Sequence, residues 1–408
     1  MVDALLIDVV RTPRGKGRPD GGLHHVHPQE LLAQCLRALA VRVGFDPVDV
    51  EDVIAGNGVL SGDHDAVGRL ATLLAGWPHT VPGMTLNRFC GSAQQAVTMA
   101  AMGVGSGAQD LVVAGGVESM SRWDLTAGSV TIDGGNPDFR ARFPTVPQGI
   151  SADLIATIEG FSREECDAFA AESQRRAEGA IKEGRFDRGI IPVTGPDGQI
   201  LLDRDEHPRP GTTVETLAKL RPAFAEMGDV RPDGDRRTYD ELARSVCPGV
   251  DHIDHVHHAG SSSGVVDGAA AAVVASEGWA RAHGVPPRAR VRATAAIGSE
   301  PVIMLTAPGP AAERCLAKAG MQAGDIDLWE VNEAFAAVPL KTIRDLGLDP
   351  ERVNVNGGAI ALGHPIGSTG AILIGTVLDE LERRDLSTGL VTMCTGGGMG
   401  TATIIERM

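Results

Sequence analysis

The sequence predicts an α/β protein made of two similar βα halves, connected by a long segment that is rich in loops. Short apolar runs typical of strands alternate with helical runs over residues 1–119, and the same rhythm resumes from about residue 259. Between these parts glycine, proline, aspartate and arginine become more frequent. Because repeated βα units with short links build a layered sheet flanked by helices, we predict domains at 1–119 (to which 250–270 return), 120–249 and 271–408.

The first half shows alternating strand and helix signals. Apolar runs predict strands at Ala4–Val10, Asp52–Ala55 and Leu111–Ala114. Apolar residues at helical spacing predict helices at Gln29–Val43 and Asp65–Ala75. This order of elements is typical of a sheet with helices packed on its faces.

The middle segment contains one clear helix signal, in which Ser162 caps a helix and Glu165 completes a capping box. An insert of this length is unusual without a function, so we interpret 120–249 as a loop domain packed over the functional site. In the last half, apolar patterning predicts a helix at Ala311–Ala319 and strands at Leu390–Met393 and Thr401–Ile405.

The two halves share an order of features that indicates an internal repeat. A corner at Cys90 leads into a helix, then into the strand Leu111–Ala114 and a pair of glycines. A glycine-rich corner at His364 leads into a helix, then into Leu390–Met393 and another pair of glycines. A duplicated βα core would explain this correspondence.

Composition excludes several classes of function. The 408 residues carry a formal net charge of −16, which argues against nucleic acid or an anionic membrane as partner. No run of 18 or more apolar residues is present to span a bilayer. The first strand begins almost at Met1, so we expect no signal peptide. Six cysteines without a C-x-x-C pattern indicate reduced thiols and a cytoplasmic location.

Cys90 is the strongest candidate for a reactive side chain. It lies between a short extended run and a helix whose repeating apolar residues are small, namely Ala93, Ala96, Val97, Ala100, Ala101 and Val104. A helix N-terminus favours a thiolate, which matters because a free thiol titrates near pH ~8.5. We therefore expect an activated nucleophile at Cys90; the alternative is a buried structural cysteine.

Two distant segments supply groups that a cysteine nucleophile needs. Residues 356–367 place His364 in a glycine-rich loop, and residues 391–400 place Cys394 at the end of a strand before further glycines. Glycine allows a ligand to approach the backbone closely and leaves N–H groups free to bind an oxyanion. A cysteine, a histidine base and a second cysteine together suit acyl-thioester chemistry.

Four blocks in this order and spacing resemble the signature motifs of the thiolases. They are Asn87-Arg88-Phe89-Cys90, Asn332-Glu333-Ala334-Phe335-Ala336, Gly363-His364-Pro365 and Cys394-Thr395-Gly396-Gly397-Gly398. The resemblance extends from Arg11-Thr12-Pro13 to the last strand. It implies the thiolase fold, in which two duplicated βα core halves form a layered α-β-α-β-α arrangement with a long loop domain. A homodimer or tetramer is implied by the resemblance alone.

The resemblance also implies roles for particular residues. Cys90 would be the nucleophile that becomes acylated, His364 its base, and Cys394 the second acid/base. Asn332 would hold a water that binds the thioester enolate together with His364. The backbone N–H groups of Cys90 and Gly396 would form a second oxyanion hole.

The resemblance implies coenzyme A as a substrate, with no permanently bound cofactor and no metal. The matching contacts are Arg209, Thr216, Phe224 and Ser263, the last within a Gly260-Ser261-Ser262-Ser263-Gly264 block that departs from the family pattern at two positions. The histidine-rich run at 251–258 lacks helical ligand spacing and a matched third ligand. We interpret these histidines as loop residues, and Glu333 as a structural partner.

We expect a 3-ketoacyl-CoA thiolase (acetyl-CoA C-acyltransferase) of fatty-acid β-oxidation. Biosynthetic thiolases carry a His-Met pair where this chain has Pro147-Gln148 before Gly149, which implies a longer acyl pocket. The run Arg236–Leu242, Ala152–Ala156 and the closing Ile404–Arg407 resemble thiolase subunits of actinobacterial β-oxidation complexes. A hydratase/dehydrogenase partner is therefore expected. Alternatives are a biosynthetic acetoacetyl-CoA thiolase, a sterol side-chain thiolase, or a subunit retained mainly as a scaffold.

Overall fold

A computed structural model describes residues 3–59, 62–123, 132–232 and 234–408. The strands are β1 Ala4–Arg11, β2 Gly15–Lys16, β3 Asp52–Gly56, β4 Met84–Leu86, β5 Leu111–Ser119, β6 Val193–Thr194, β7 Ile200–Leu202, β8 Val266–Ser276, β9 Ala289–Gly298, β10 Leu328–Val331, β11 Thr388–Thr395 and β12 Met399–Arg407. The helices are α1 Pro28–Leu39, α2 Val67–Leu74, α3 Ser92–Ser106, α4 Pro137–Arg142, α5 Gln148–Glu159, α6 Arg163–Lys182, α7 Val214–Leu217, α8 Ala225–Gly228, α9 Tyr239–Arg244, α10 Glu277–His283, α11 Pro308–Ala319, α12 Ala337–Leu346, α13 Ala359–Leu362 and α14 Thr369–Arg384.

The sheet topology shows the predicted duplication directly. The first half has the strand order β4-β3-β5-β8-β1, with β2 at the edge of β8, and the second half has β10-β11-β12-β9. In each half a parallel pair (β3 with β5, β10 with β11) is followed by two antiparallel pairs, and in the first half β4 adds a second parallel pair with β3. The halves are joined where β1 meets β9 through only two residue pairs.

The layers follow from how the buried faces are covered. Helices α3 and α14 pack against each other between the two halves, and their apolar residues share one buried cluster with β5 and β11. The outer face of the first half is covered by α1, α2 and α10, and that of the second half by α11 and α12. The α-β-α-β-α arrangement is thereby confirmed.

Small residues allow this close layering. Strand β8 is buried along its whole length and contains a run of alanines between β1 and β5. A Cβ on Gly115 of β5 would lie 2.0 Å from the Ala270 carbonyl oxygen. A Cβ on Gly56 of β3 would lie 2.4 Å from the backbone of α3. The predicted deep burial of α3 follows, since Ala93, Ala96, Val97, Ala100 and Val104 are all buried.

One predicted boundary falls inside a strand. The sequence placed the return to the first half at 250–270 and began the last half at 271, but β8 runs unbroken to Ser276 and pairs with β1 and β5. The helix α10 that follows also packs on the first half through Trp279 and Ala280. The second half therefore begins with β9, because hydrogen bonding assigns a strand to its sheet regardless of a change in composition.

The middle segment is more regular than expected. It contains α4 to α9 and a small two-stranded sheet of β6 and β7. The predicted capping box at the start of α6 is present, with Ser162 and Glu165 satisfying each other's backbone N–H groups. The predicted helix Gln29–Val43 ends earlier, at Leu39, and is followed by a π-helical turn over Ala40–Gly44.

Histidines of the run at 251–258 form hydrogen bonds with carboxylates of the middle segment. His257 Nδ1 lies 2.7 Å from Asp153 Oδ1, and His255 is placed between Asp153 and Asp240 at 2.8 and 3.0 Å. His258 Nε2 lies 2.6 Å from an Asp167 oxygen. All four histidines of the run lie outside regular secondary structure, as expected; His252 is exposed, whereas His255, His257 and His258 are buried or half-buried partners of carboxylates.

Three further findings concern the described residues. Within them no group of three or more potential ligands is arranged to hold a metal ion. Nor does any helix in those four ranges have the length and apolar character needed to cross a bilayer. All six cysteines are free thiols.

Candidate active site

Cys90 sits on a sharp turn between β4 and α3. The preceding residue, Phe89, has a φ of +47°, a left-handed conformation that bulky residues rarely adopt. The turn is held by Asn87, whose Oδ1 accepts from the Phe89 N–H at 2.7 Å, and by Ser92, whose hydroxyl donates to the Phe89 carbonyl at 2.6 Å. Strain of this kind persists where the surroundings impose it, and it clusters at functional sites.

The thiol of Cys90 is protonated at rest, contrary to the expected thiolate. Burial raises its pKa to about 12, because desolvation disfavours the charged form. The N–H groups of Gly396 and of Cys90 itself face the sulfur and oppose this rise. These are the two donors predicted for an oxyanion hole. The effect of the helix terminus is therefore outweighed, and the nucleophile needs a base.

His364 is arranged to be that base. Its Nδ1 lies 2.6 Å from the hydroxyl of Thr369, and the same hydroxyl lies 3.0 Å from the Pro365 carbonyl, which can only accept. The hydroxyl therefore donates to Pro365 and accepts from Nδ1–H, which leaves the lone pair on Nε2. Nε2 is buried and has no hydrogen-bond partner among the described residues. Burial and the charge of Arg14 lower the pKa of His364 to about 3, so the ring is neutral.

One cavity brings the three predicted reactive groups together. Cys90, His364 and Cys394 all line a cavity of about 280 Å³. Burial, and secondarily the proximity of Cys90, raises the pKa of Cys394 well above its usual value. Cys394 is thus a neutral thiol able to give a proton. The cavity therefore brings together the predicted nucleophile, base and second acid, although Cys90 precedes the other two residues by more than 270 positions in the chain.

A second cavity of about 380 Å³ also opens at Cys90 and borders Gly396. Its wall is mostly apolar, being formed by Val59, Phe89, Trp123, Ile132, Val146, Pro147, Tyr239 and Ile366. Cys90, Gln148 and Ile366 line both cavities. A chain attached to the sulfur can therefore extend into the apolar cavity while a second ligand occupies the first.

Asn332 and Glu333 differ in their surroundings. Both atoms of the Asn332 amide are buried without a protein hydrogen-bond partner, although its side chain is not part of either cavity wall. A buried amide that pairs with nothing costs ~1–3 kcal/mol, which a bound water would recover. Glu333 accepts hydrogen bonds from Ser173, Asn354 and the Ile360 N–H, as a structural partner does.

The predicted coenzyme A contacts divide into two pairs. Phe224 and Ser263 line the 280 Å³ cavity beside Cys90. Arg209 and Thr216 are exposed and outside that wall; the Thr216 hydroxyl donates to the Thr213 carbonyl within a capping box at α7. Only the first pair is brought into direct contact with the catalytic cavity.

Several residues that line or support the site were not among those predicted from the sequence. Gln148 was treated only as a departure from a family motif, yet it lines both cavities. Tyr239 reaches the apolar cavity from the loop domain. Thr369, the first residue of α14, holds the histidine through its hydroxyl. The sequence held one signal for Thr369, which is a hydroxyl residue only five positions after His364.

A buried Cys166, His257 and Asp153 resemble a catalytic triad but do not form one. The Cys166 sulfur lies 3.9 Å from His257 Nε2, and His257 Nδ1 lies 2.7 Å from Asp153. However, Nε2 already accepts the Ala337 N–H at 3.2 Å, so it has no lone pair left for the thiol. Cys166 lines neither cavity at Cys90.

The duplicated α/β core and a cavity with two thiols and a neutral imidazole are the arrangement expected of a class of enzymes, those that transfer acyl groups through a cysteine. The chain matches the family described as "Thiolase, N-terminal domain" over residues 4–234, and "Thiolase, C-terminal domain" over residues 285–407. It belongs to the thiolase family and is an acyltransferase.

Similar proteins carry two kinds of name. An "Acetyl-CoA acetyltransferase" of Thiocystis violacea is 40% identical, and the match covers 99% of each chain. A "3-ketoacyl-CoA thiolase" of Aeromonas hydrophila subsp. hydrophila is 38% identical over 100% of each chain. The crystal structure of the Bacillus anthracis acetyl-CoA acetyltransferase is similar with a TM-score of 0.84 at 35% identity, covering 100% of this chain and 99% of that one.

Proposed function

We propose that this protein is a 3-ketoacyl-CoA thiolase that cleaves 3-ketoacyl-CoA with coenzyme A, giving acetyl-CoA and a shortened acyl-CoA. The observation that carries the proposal is the convergence of Cys90, His364 and Cys394 on one cavity that Phe224 and Ser263 also line. Relatives named 3-ketoacyl-CoA thiolase at about 40% identity along the whole chain support it.

The reaction begins at Cys90. His364 Nε2 takes the thiol proton as the sulfur attacks the 3-keto carbon, and the N–H groups of Cys90 and Gly396 stabilise the resulting oxyanion. The C2–C3 bond then breaks, leaving an acyl group on the sulfur and acetyl-CoA as its enolate. Cys394 gives its proton to the enolate carbon. A water held by Asn332 would bind the enolate oxygen.

The second half-reaction returns the enzyme to its starting state. Coenzyme A enters the 280 Å³ cavity, and the Cys394 thiolate accepts the proton of its thiol. The coenzyme A sulfur attacks the acyl carbon, and Cys90 leaves, regaining its proton from His364. Atoms and charges balance, because each of the three groups ends in the protonation state in which it began.

The apolar cavity favours acyl chains longer than the acetyl group. Its volume of about 380 Å³ and its apolar wall suit a hydrocarbon chain bound to Cys90. Pro147 and Gln148, which stand where biosynthetic thiolases have a bulkier pair, both lie in that wall. We therefore infer a degradative role in the cytoplasm, with a hydratase/dehydrogenase partner of the kind found in actinobacterial β-oxidation complexes.

The first experiment measures thiolysis by the purified protein. Loss of the enolate absorbance of acetoacetyl-CoA and 3-ketodecanoyl-CoA is followed in the presence of coenzyme A, for the wild type and for Cys90→Ala. Turnover that Cys90→Ala abolishes supports the proposal. A wild type that cleaves neither substrate, or a variant with undiminished turnover, contradicts it.

The second experiment separates a degradative from a biosynthetic enzyme. Val146 lines only the apolar cavity, so Val146→Phe fills that cavity without touching the cavity of His364 and Cys394. We expect the ratio of kcat/KM for 3-ketodecanoyl-CoA to that for acetoacetyl-CoA to fall at least tenfold. An unchanged ratio, or a wild type that prefers acetoacetyl-CoA, would favour the acetoacetyl-CoA enzyme.

A further inference from the structure

A fully buried carboxylate lies beside the active site and has no part in the reaction described above. Glu118, the penultimate residue of β5, is completely buried. Its Oε2 accepts from the Gly58 N–H at 2.7 Å and from the Gly367 N–H at 2.9 Å. Its Oε1 accepts from the Asn57 amide at 3.1 Å. Two residues further on, Met120 lines the catalytic cavity.

The donors come from the two parts of the site that must be aligned. Gly58 follows β3 and forms part of the apolar cavity wall. Gly367 closes the loop that begins with His364 and includes Ile366, which lines both cavities. One carboxylate oxygen therefore bridges the wall of the acyl cavity and the loop that carries the base.

The backbone is fitted closely around this carboxylate. A Cβ on Gly58 or on Gly367 would lie 2.9 Å from Glu118 Oε2. The Asn57 amide is fixed in orientation, because its Oδ1 accepts from the Val59 N–H at 3.1 Å and its Nδ2 also donates to the Val117 carbonyl at 2.8 Å. The protein thus presents three N–H donors to a single acceptor group.

Burial and hydrogen bonding act in opposite directions on the charge of Glu118. Burial raises the pKa of Glu118 to about 8, and hydrogen bonds from Gly58, Gly367, Asn57 and the Trp123 side chain oppose that rise. The titratable His64 is also close, with Nε2 3.7 Å from Oε1, but that nitrogen accepts the Ser119 N–H.

We propose that Glu118 is a positioning residue that holds the His364 loop in register with the acyl cavity, so that base, sulfur and acyl chain are aligned. The inference rests on the proposed thiolysis for its kinetic consequence, but the contact itself is independent of the substrate. Glu118 acts through Gly367 and Gly58 and does not touch the reacting atoms.

The principal test replaces Glu118 by Gln. If the amide oxygen keeps the Gly58 and Gly367 contacts, its NH2 group must face the Asn57 NH2 group, which cannot turn without losing its own partners. We expect kcat for thiolysis to fall at least tenfold with a small change in KM. Glu118→Asp keeps a carboxyl group that can accept from all three donors, so it should recover part of the loss. Alkylation of Cys90 by iodoacetamide should persist in both variants, because the nucleophile remains.

A matched control tests whether any buried carboxylate gives this result. Glu380 on α14 is also buried and accepts from Arg383, Arg384 and Asn356. Glu380→Gln should keep kcat within twofold of the wild type. If Glu118→Gln is as active as this control, the positioning role is refuted.

A second variant tests the positioning role of Glu118 if Glu118→Gln fails to fold. Asn57→Asp keeps the acceptor for Val59 but places a second carboxylate against Glu118. Two neighbouring carboxylates cannot both ionise freely, so the activity of the variant relative to wild type should fall progressively between pH 7 and pH 9 (roughly the range around the raised pKa). A ratio that does not depend on pH overturns the proposal.

Amide hydrogen exchange tests the contact between Glu118 and Gly367 independently of the proposed thiolysis. In Glu118→Gln, exchange should increase in the peptide that contains Gly367 and remain unchanged in the peptide from the C-terminal end of α14. If the wild type shows no thiolysis, the proposed function fails while this measurement still tests the contact. Unchanged exchange at Gly367 refutes the contact, whatever the activity.

Discussion

The hydroxyl of Thr369 should decide whether His364 acts as a base. Thr369→Val keeps the branched shape of the side chain at the start of α14 but removes the oxygen 2.6 Å from His364 Nδ1. The Nδ1–H is then buried without an acceptor, which costs ~1–3 kcal/mol. The ring can escape this cost by moving its proton to Nε2, and the lone pair that should accept the Cys90 proton is then lost.

The size of the effect follows from this cost. One tenfold change in rate corresponds to about 1.36 kcal/mol, so loss of the hydrogen bond should lower kcat/KM for thiolysis by about 5-fold to 150-fold. The assay is the loss of 3-ketoacyl-CoA enolate absorbance with coenzyme A in excess. The melting temperature, measured in parallel, separates a local effect from unfolding.

Thr369→Ser is the matched control, because it keeps the hydroxyl and loses only a methyl group. It should retain kcat/KM within about threefold, since the loss of one partly compensated methyl is worth less than the hydrogen bond. Should Thr369→Val match the wild type, or should Ser and Val variants be impaired equally, the assignment of the Nδ1 proton to this hydroxyl is wrong.

Three further predictions concern protonation, the coenzyme A cavity and the loop domain. Because burial and Arg14 lower the pKa of His364 to about 3, kcat/KM for thiolysis should show no acidic limb near pH ~6.5, where an ordinary histidine titrates. Gly149→Ala would place a Cβ 2.2 Å from the Phe224 ring, so it should raise KM for coenzyme A several-fold. Asp240→Asn removes a partner of His255; burial lowers the pKa of His255, but Asp153 and Asp240 raise it overall. The lost stability should therefore be greatest below pH ~6.5 and disappear as pH rises through that raised pKa.

Each of these predictions has a defined contrary result. A kinetic midpoint near pH 6.5 would mean that His364 is exposed to solvent or is not the base. For Gly149→Ala the control is Gly179→Ala in α6, where a Cβ meets nothing within 4 Å; equal KM values in the two variants would contradict the role of Phe224. For Asp240→Asn, a difference in unfolding free energy that is the same at pH 5 and pH 9 would show that His255 is not protonated in the folded protein.

The apolar pattern was enough to place most core elements. The small residues of α3 and the alternation of strands and helices depend on local spacing, and the predicted elements lie within a few residues of the observed ones. The pairing of strands could not be predicted from local spacing. The assignment of β8 to the first half depends on hydrogen bonds to β1 and β5, which lie far away in the chain.

The candidate site also divides into features that the sequence predicted and features that only the structure shows. Motif order alone predicted Cys90, His364 and Cys394 as a set, because a reaction that needs two thiols and a base leaves a recognisable signature. Their protonation states were not predictable. A helix terminus suggested a thiolate at Cys90, whereas burial favours the neutral thiol, and the amount of burial is a property of the packed molecule.

The sequence by itself thus determined the family, the duplicated core and the candidates for the reacting groups, since these depend on residue type and spacing. Only the tertiary structure decided which groups share a cavity, that Thr369 leaves the lone pair on His364 Nε2, and that Glu118 joins the two sides of the site. Such facts arise from contacts between segments distant in the chain, and desolvation acts on a side chain only once those segments have closed around it.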